Sequence, residues 1–355
     1  MKKAFYLVSL LVALAMIMAA CAPAPTAAPA QPAAEQPAQP AATEAPAQPA
    51  ASGKPFRVAV VMPSKINDLA FSQSMFDALT NIKAEMGADQ FDFVYTDNMF
   101  VVDDAAAAIR DYATQGFDLV IAHGSQYGAS LVEIAPDFPK TAFAWGTTVD
   151  TFVEKGVTNV FAYEARSEEG GYVNGVIAAK LSKSGIIGVV GPIETGDAKL
   201  YVDGFKAGVA ATNASAQVNA NWIGSFSDIA LASEAAQTHV NAGADAMTGS
   251  AQMVVGAVGV CKEKKVPWFG TQSNQASLAP EVVVASQVYK WEPVLREIIT
   301  LVKGGTYGGK AFQATLANKG LVIEYNPAYT LPEDVKQAAE AAIQGIAGGS
   351  IKPLP

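Results

Sequence analysis

Apolar runs of strand length alternate with stretches of helical periodicity from residue 56 to the end of the chain. Residues 56–62 are apolar except Arg57 and end at Pro63-Ser64, the profile of a strand covered on both faces of a parallel sheet. Residues 68–86 then carry Met75, Leu79, Ile82 and Met86 at helical spacing. The rhythm continues as strand 91–95, helix 103–113, and strands 118–122 and 142–145. It restarts with helix 168–181, strand 186–190, helix 199–211, strand 218–223 and helix 227–242, with Asp228 placed to cap the last. Helix 253–263, strands 267–270 and 282–288, helix 291–302, strand 321–325 and helix 332–346 complete the series.

Alternation of this kind predicts an α/β fold. Two such series predict two doubly wound parallel-sheet lobes joined by a hinge, with a cleft at the carboxyl ends of the strands. The body, 54–355, has roughly 300 residues, more than one core comfortably holds. The expected division is about 54–160 plus 272–305 for lobe 1 and about 161–271 plus 306–355 for lobe 2.

The chain before residue 54 has a different texture. Lys2 and Lys3 precede an uncharged apolar run, 4–20, too short for a spanning helix and suited to the core of a secretory signal. It ends in Met18-Ala19-Ala20-Cys21, which resembles a bacterial lipobox, so 1–20 reads as a lipoprotein signal peptide and Cys21 as the lipidation site. Residues 21–53 are mostly Ala, Pro, Gln and Thr and lack the large apolar side chains that would offset the entropy of ordering. They read as a disordered linker. Extended at about 3.1 Å per residue, it would reach roughly 100 Å. The expected location is the extracytoplasmic face of the cell membrane, held by the lipid.

Composition narrows the function classes. Asp and Glu number 33 against 24 Lys and Arg, a net charge of −9, which argues against a nucleic-acid partner. Of two cysteines, Cys21 is assigned to lipid and Cys261 reads as a small buried helix residue. His123 follows a strand and could face the cleft; His239 reads as a surface residue in mid-helix. The body contains no Gly-x-Ser-x-Gly elbow, no phosphate loop and no metal-ligand spacing. The expectation is a binding protein, not an enzyme, with no cofactor and no metal, acting as a monomer.

Residues following the strands are instead rich in aromatics and amides: Asn67, Asp68, Phe71, Gln126, Trp145, Trp222, Phe226, Gln272, Asn274 and Trp291. Aromatic faces with amides suit a flat ligand bearing heteroatoms. Each has a plainer reading. Phe71 shares a helical face with Met75 and Leu79, and Asp68 can simply stabilise a helix N-terminus.

Four stretches occur in order: Asn67-Asp68-Leu69-Ala70-Phe71-Ser72, then Tyr163 through Gly175, then Gly224-Ser225-Phe226-Ser227-Asp228, then Gly270-Thr271-Gln272-Ser273-Asn274-Gln275. In these the body, from about 57 to 327, resembles the basic membrane protein (BMP) family of purine-nucleoside-binding lipoproteins. That family has the type I periplasmic-binding-protein fold and supplies substrate to ABC importers. The resemblance implies a purine stacked between Phe71 and Phe226, and an ABC permease as membrane partner. The family's lysine and asparagine beside the first phenylalanine are absent here. Gln272 and Asn274 stand where nucleoside binders carry carboxylates, which implies a weakened or replaced ribose contact. Ser277-Leu278-Ala279-Pro280 and Gln287-Val288-Tyr289-Lys290-Trp291 resemble the branch associated with free purines, so base and nucleoside both stay open. A sugar or other polar-solute binder, a tethered ligand sensor and a lipid-anchored hydrolase are the alternative readings.

Overall fold

The computed structural model describes residues 53–355. The signal peptide, Cys21 and all but the last residue of the linker lie outside the described residues. Strands and helices are numbered in chain order. One sheet contains β1 (Phe56–Val61), β2 (Phe91–Thr96), β3 (Leu119–His123), β4 (Ala142–Gly146), β5 (Val160–Ala165) and β11 (Ala311–Ala314), arranged β11-β5-β4-β3-β1-β2 and parallel throughout. The other contains β6 (Ile186–Gly191), β7 (Gln217–Trp222), β8 (Ala246–Gly249), β9 (Trp268–Gln272), β10 (Val283–Tyr289) and β12 (Leu321–Tyr325), arranged β12-β10-β9-β8-β6-β7. Only β12 runs antiparallel to its neighbour there.

The helices are α1 (Phe71–Met86), α2 (Val102–Thr114), α3 (Gly128–Ile134), α4 (Ser167–Leu181), α5 (Gly196–Thr212), α6 (Ile229–Asn241), α7 (Val254–Lys264), α8 (Glu292–Lys303) and α9 (Glu333–Ala347). The apolar run of β1 is explained by its two covered faces. Val58 and Val60 join one core cluster while Ala59 and Val61 join another, because successive side chains point to opposite faces. Asp228 does cap α6, its carboxylate accepting from the Leu231 N–H at 2.9 Å.

The lobe boundaries differ from the expected ones. β5 pairs with β4 and so belongs to the first sheet, whereas β10 pairs with β9 and β12 and so belongs to the second. The chain therefore passes between the sheets three times, after β5, after β10 and after β11. A strand buried on both faces reads alike in either sheet; only its hydrogen-bond partner assigns it. The short strands β8 and β11 and the helix α3 carry too few residues for a periodic signal.

In the second lobe α4 and α5 meet backbone to backbone. A Cβ built on Gly204 would lie 2.2 Å from the Glu168 carbonyl oxygen, and one on Gly208 2.0 Å from that of Tyr172. The pairing is reciprocal: a Cβ on Gly171 would strike the Tyr201 carbonyl oxygen at 2.3 Å and one on Gly175 that of Phe205 at 2.2 Å. Glycine is needed at all four positions because no side chain fits between the helices.

Candidate ligand-binding site

A cavity of about 270 Å³ opens between the lobes at the carboxyl ends of both sets of strands. The first lobe contributes Phe71, Gln126 and Thr147; the second contributes Asp197, Phe226 and Gln272.

Phe71 is the first residue of α1, and the turn before it is built to hold it. The Asp68 carboxylate accepts from the backbone N–H groups of Ala70 at 2.8 Å, Gln73 at 3.1 Å and Ser72 at 3.2 Å, and from the Ser64 hydroxyl. These bonds satisfy donors that a helix start leaves orphaned. Burial raises the Asp68 pKa, and the same hydrogen bonds oppose that rise. One face of the Phe71 ring is covered by His123, at 3.8 Å between centroids and 7° between planes. The rest of the ring lines the cavity. His123 is fully buried, which corrects the expectation that it could face the cleft.

On the opposite wall, Phe226 lies in the loop between β7 and α6, and its carbonyl accepts from the Met253 N–H at 3.1 Å. Asp197 stands at the start of α5, following Gly196, whose φ of +52° favours glycine. Tyr289 donates its hydroxyl proton to Asp197 Oδ2 at 2.8 Å, and Gln272 Nε2 donates at 3.3 Å. Removal from water raises the Asp197 pKa; the two donors oppose it. Gln272 is buried, and its Oε1 has no hydrogen-bond partner among the described residues. Gln272 and Ala251, both in the cavity wall, have φ of 70° and 69°. Left-handed backbone at non-glycine residues costs roughly 1–2 kcal/mol each.

Of the ten residues expected at the site, Phe71, Gln126, Phe226 and Gln272 line the cavity. The other six do not. Asn67 is exposed and Asp68 holds the α1 turn. Trp145 supports the cavity wall from behind, stacking on Phe152 and donating from Nε1 to the Gly124 carbonyl at 3.1 Å. Trp222, on the edge strand β7, covers Gly191 of β6. Asn274 donates to Glu324 at 2.8 Å on an exposed surface. Trp291 is buried, its Nε1 donating to the Ser74 hydroxyl at 2.9 Å. An aromatic at a strand end can wall a cleft or prop it, and side-chain direction decides between the two. Asp197 was missed, although an acid entering a helix after a strand and a glycine is the same signal that marked Asp228.

The stretch 270–275 serves both lobes. Ser273 donates its hydroxyl proton to the Ala70 carbonyl at 2.8 Å, and Gln275 Nε2 donates to that of Leu69 at 3.3 Å. Such bonds across the cleft tie the α1 turn of the first lobe to the end of β9.

Burial pushes the Cys261 thiol up to about 12, which keeps it protonated within α7. His239 is buried against Gly188 and its Nε2–H donates to the Val189 carbonyl at 3.1 Å; it is not the surface residue expected. No group of three or more His, Cys, Asp or Glu residues among the described residues could hold a metal ion. No helix among them is long and apolar enough to cross a membrane.

A family model described as ABC transporter substrate-binding protein PnrA-like matches residues 56–352. The chain belongs to this Bmp family. A purine-binding protein of Brucella abortus is 28% identical over 266 residues, spanning 75% of this chain and 74% of that one. Basic membrane protein A2 of Borrelia garinii subsp. bavariensis is 26% identical, spanning 66% of this chain and 68% of its own. A solved ABC-transporter solute-binding protein from Conexibacter woesei superposes with a TM-score of 0.70 at 24% identity, over 84% of this chain and 98% of that one, a likeness that shows the fold. The Bmp membership makes this chain an ABC-transporter substrate-binding protein, with a small-molecule ligand and a permease partner. The family match reaches further towards the C-terminus than the motifs did.

Proposed function

We propose that the chain is a lipid-anchored, extracytoplasmic binding protein that captures a purine, as free base or nucleoside, and delivers it to an ABC permease. The observation that carries this reading is the pair of aromatic walls, Phe71 and Phe226, on opposite lobes of one cavity. A planar heterocycle between them gains roughly 0.5–1.5 kcal/mol per ring contact beyond area burial. The Asp197 carboxyl and the unpartnered Gln272 Oε1 are both acceptors. They suit a ligand edge that presents N–H donors, as the exocyclic amine and ring N–H of an aminopurine do. A ligand touching both lobes stabilises the closed arrangement, which the permease would sense. The purine-binding relative in Brucella abortus adds support.

The reading includes signal peptide 1–20, lipidated Cys21, linker 21–53 and a monomeric body. The ligand test is calorimetric titration of the purified protein with adenine, adenosine, guanosine and ribose. Binding of a purine without binding of ribose is expected; tight binding of ribose alone would overturn the assignment. For the anchor, Cys21→Ser should move the protein from the membrane fraction to the soluble fraction. Unchanged membrane retention would reject lipidation.

A further inference from the structure

A second cavity, of about 210 Å³, lies between α1 of the first lobe and the ends of β10 and β12 in the second. Tyr289 lines it, and the same tyrosine hydroxyl ends on Asp197 in the ligand cavity, so one hinge side chain touches both spaces. Three carboxylates, Asp77, Glu292 and Glu324, line this second cavity against one ammonium, Lys290. Lys290 is already committed to Glu324, at 2.9 Å. Asn274 donates to the other oxygen of Glu324 at 2.8 Å. Glu324 is thereby satisfied, and Asp77 and Glu292 share only the more distant influence of the same ammonium.

Glu292 has 8% of its surface exposed, and it receives one hydrogen bond, from Asn81 Nδ2 to Oε1 at 2.7 Å. Its Oε2 is buried and has no partner among the described residues. A buried carboxylate oxygen without a donor is costly, since its water is lost and nothing replaces it. Asp77 lies on the same face of α1 as Asn81, four residues away. Its pKa is raised, first by its partial burial; Gln73 and the Lys290 ammonium oppose the rise, and the neighbouring carboxylates of Glu292 and Asp68 add to it. The orphaned Glu292 oxygen and the nearby Asp77 carboxylate therefore leave this polar space with more negative charge than its one ammonium, Lys290, offsets.

We infer that this cavity is a binding site for a small monovalent cation, an alkali ion or a primary ammonium, held between Asp77 and Glu292. A multivalent metal is not the expected occupant, because the described residues offer no cluster of three metal-ligating side chains. The site is independent of the purine reading. Because its walls come from both lobes, a bound cation would favour their closed arrangement and couple to the first cavity in both directions.

The test uses the full chain without purine, in tetramethylammonium chloride, whose cation offers no N–H donor. Potassium chloride, sodium chloride or methylammonium chloride then replaces it at constant ionic strength while the unfolding midpoint is followed. A saturable rise of roughly 2–4 °C is expected with at least one of the three cations. Methylammonium acting alone identifies an ammonium ligand, and potassium or sodium acting identifies an alkali ion. Glu292→Gln should abolish the rise. Asp77→Asn, on an exposed position of α1, should weaken it at least tenfold in midpoint concentration and serves if the buried variant fails to fold. No cation-specific rise in the parent chain, or an undiminished rise in Asp77→Asn, would overturn the proposal.

Discussion

The imidazole of His123 lies parallel to the phenyl ring of Phe71, 3.8 Å away, while its Nε2 faces the carbonyl oxygen of the same residue at 3.1 Å. A nitrogen facing a carbonyl must carry the proton, so Nδ1 is the acceptor and takes the Tyr163 hydroxyl proton at 2.7 Å. The neutral imidazole thus fixes both the ring and the backbone of Phe71. Trp291 closes the group from the side, edge-on to His123 and Tyr163. The stacking surface that Phe71 offers to a ligand is backed by three aromatic side chains, His123, Tyr163 and Trp291, all of them buried.

The first prediction concerns acid. Burial lowers the His123 pKa from 6.5 to about 3. Between those values the unfolded chain holds the proton and the folded chain does not, so the stability this group contributes is complete above about pH 6.5 and is lost as pH falls towards 3. The raised carboxyls Asp68, Asp197 and Glu169 act in the opposite direction. The useful quantity is therefore a difference between variants. In His123→Gln, whose amide can bond both Phe71 and Tyr163, the unfolding midpoint should fall less between pH 7 and about pH 4 than in the parent. Parallel curves would show that His123 does not set the acid limit.

The second prediction concerns the two rings. Phe226→Ala should weaken purine binding by roughly tenfold or more, about 1.4 kcal/mol, with little effect on stability, because Phe226 sits in a loop outside the core clusters. Phe71→Leu should weaken binding comparably and also lower the unfolding midpoint, since it removes the stack on His123. Calorimetric titration and thermal melts on the same samples separate the two effects. Unaltered affinity in both variants would remove the aromatic clamp.

The third prediction concerns Asp197. If its carboxylate accepts an N–H from the ligand, Asp197→Asn removes a charge-assisted bond, a loss of about 1.5–3 kcal/mol or roughly 10- to 100-fold in affinity. Its pKa is raised, so protonation removes the acceptor at a higher pH than for an ordinary aspartate, and affinity should fall as pH falls through that raised value. The Asn variant should show a flatter profile. Titrations at several pH values check both statements.

What was legible in the residues was direction along the chain, not across it. The strand β1 and the helix α1 stood out because apolar runs and a 3.6 period are local properties. Phe71 and Phe226 could be placed in the segments that follow strands for the same reason. The lobe boundaries could not, because β5 and β10 are assigned by hydrogen bonds to strands distant in sequence. Trp145, Trp222 and Trp291 do not line the cavity because of side-chain direction, which their place next to a strand or helix end does not specify. The hinge tyrosine Tyr289 and its bond to Asp197 joined residues 92 positions apart, beyond the reach of any pattern.

The last prediction tests the close contact that shapes the second lobe. Gly208 carries no side chain because a Cβ there would meet the Tyr172 carbonyl oxygen at 2.0 Å, and Gly204 is barred by the Glu168 carbonyl at 2.2 Å. Both obstacles are backbone atoms within a helix, which cannot rotate away as a side-chain tip can. Gly→Ala in a helix would ordinarily stabilise by up to about 1 kcal/mol through propensity alone. Here overpacking opposes that gain, at roughly 1–3 kcal/mol for each inserted group. Gly208→Ala and Gly204→Ala should therefore lower stability, and the double variant should lower it by less than the sum, because the first substitution already parts the helices. Gly259→Ala is the control: it lies in α7 with nothing within 4 Å of its Cβ position, and it should be neutral or stabilising. Urea unfolding of the four variants decides the matter. A stabilised Gly208→Ala would mean that α4 and α5 do not approach as closely as this packing requires.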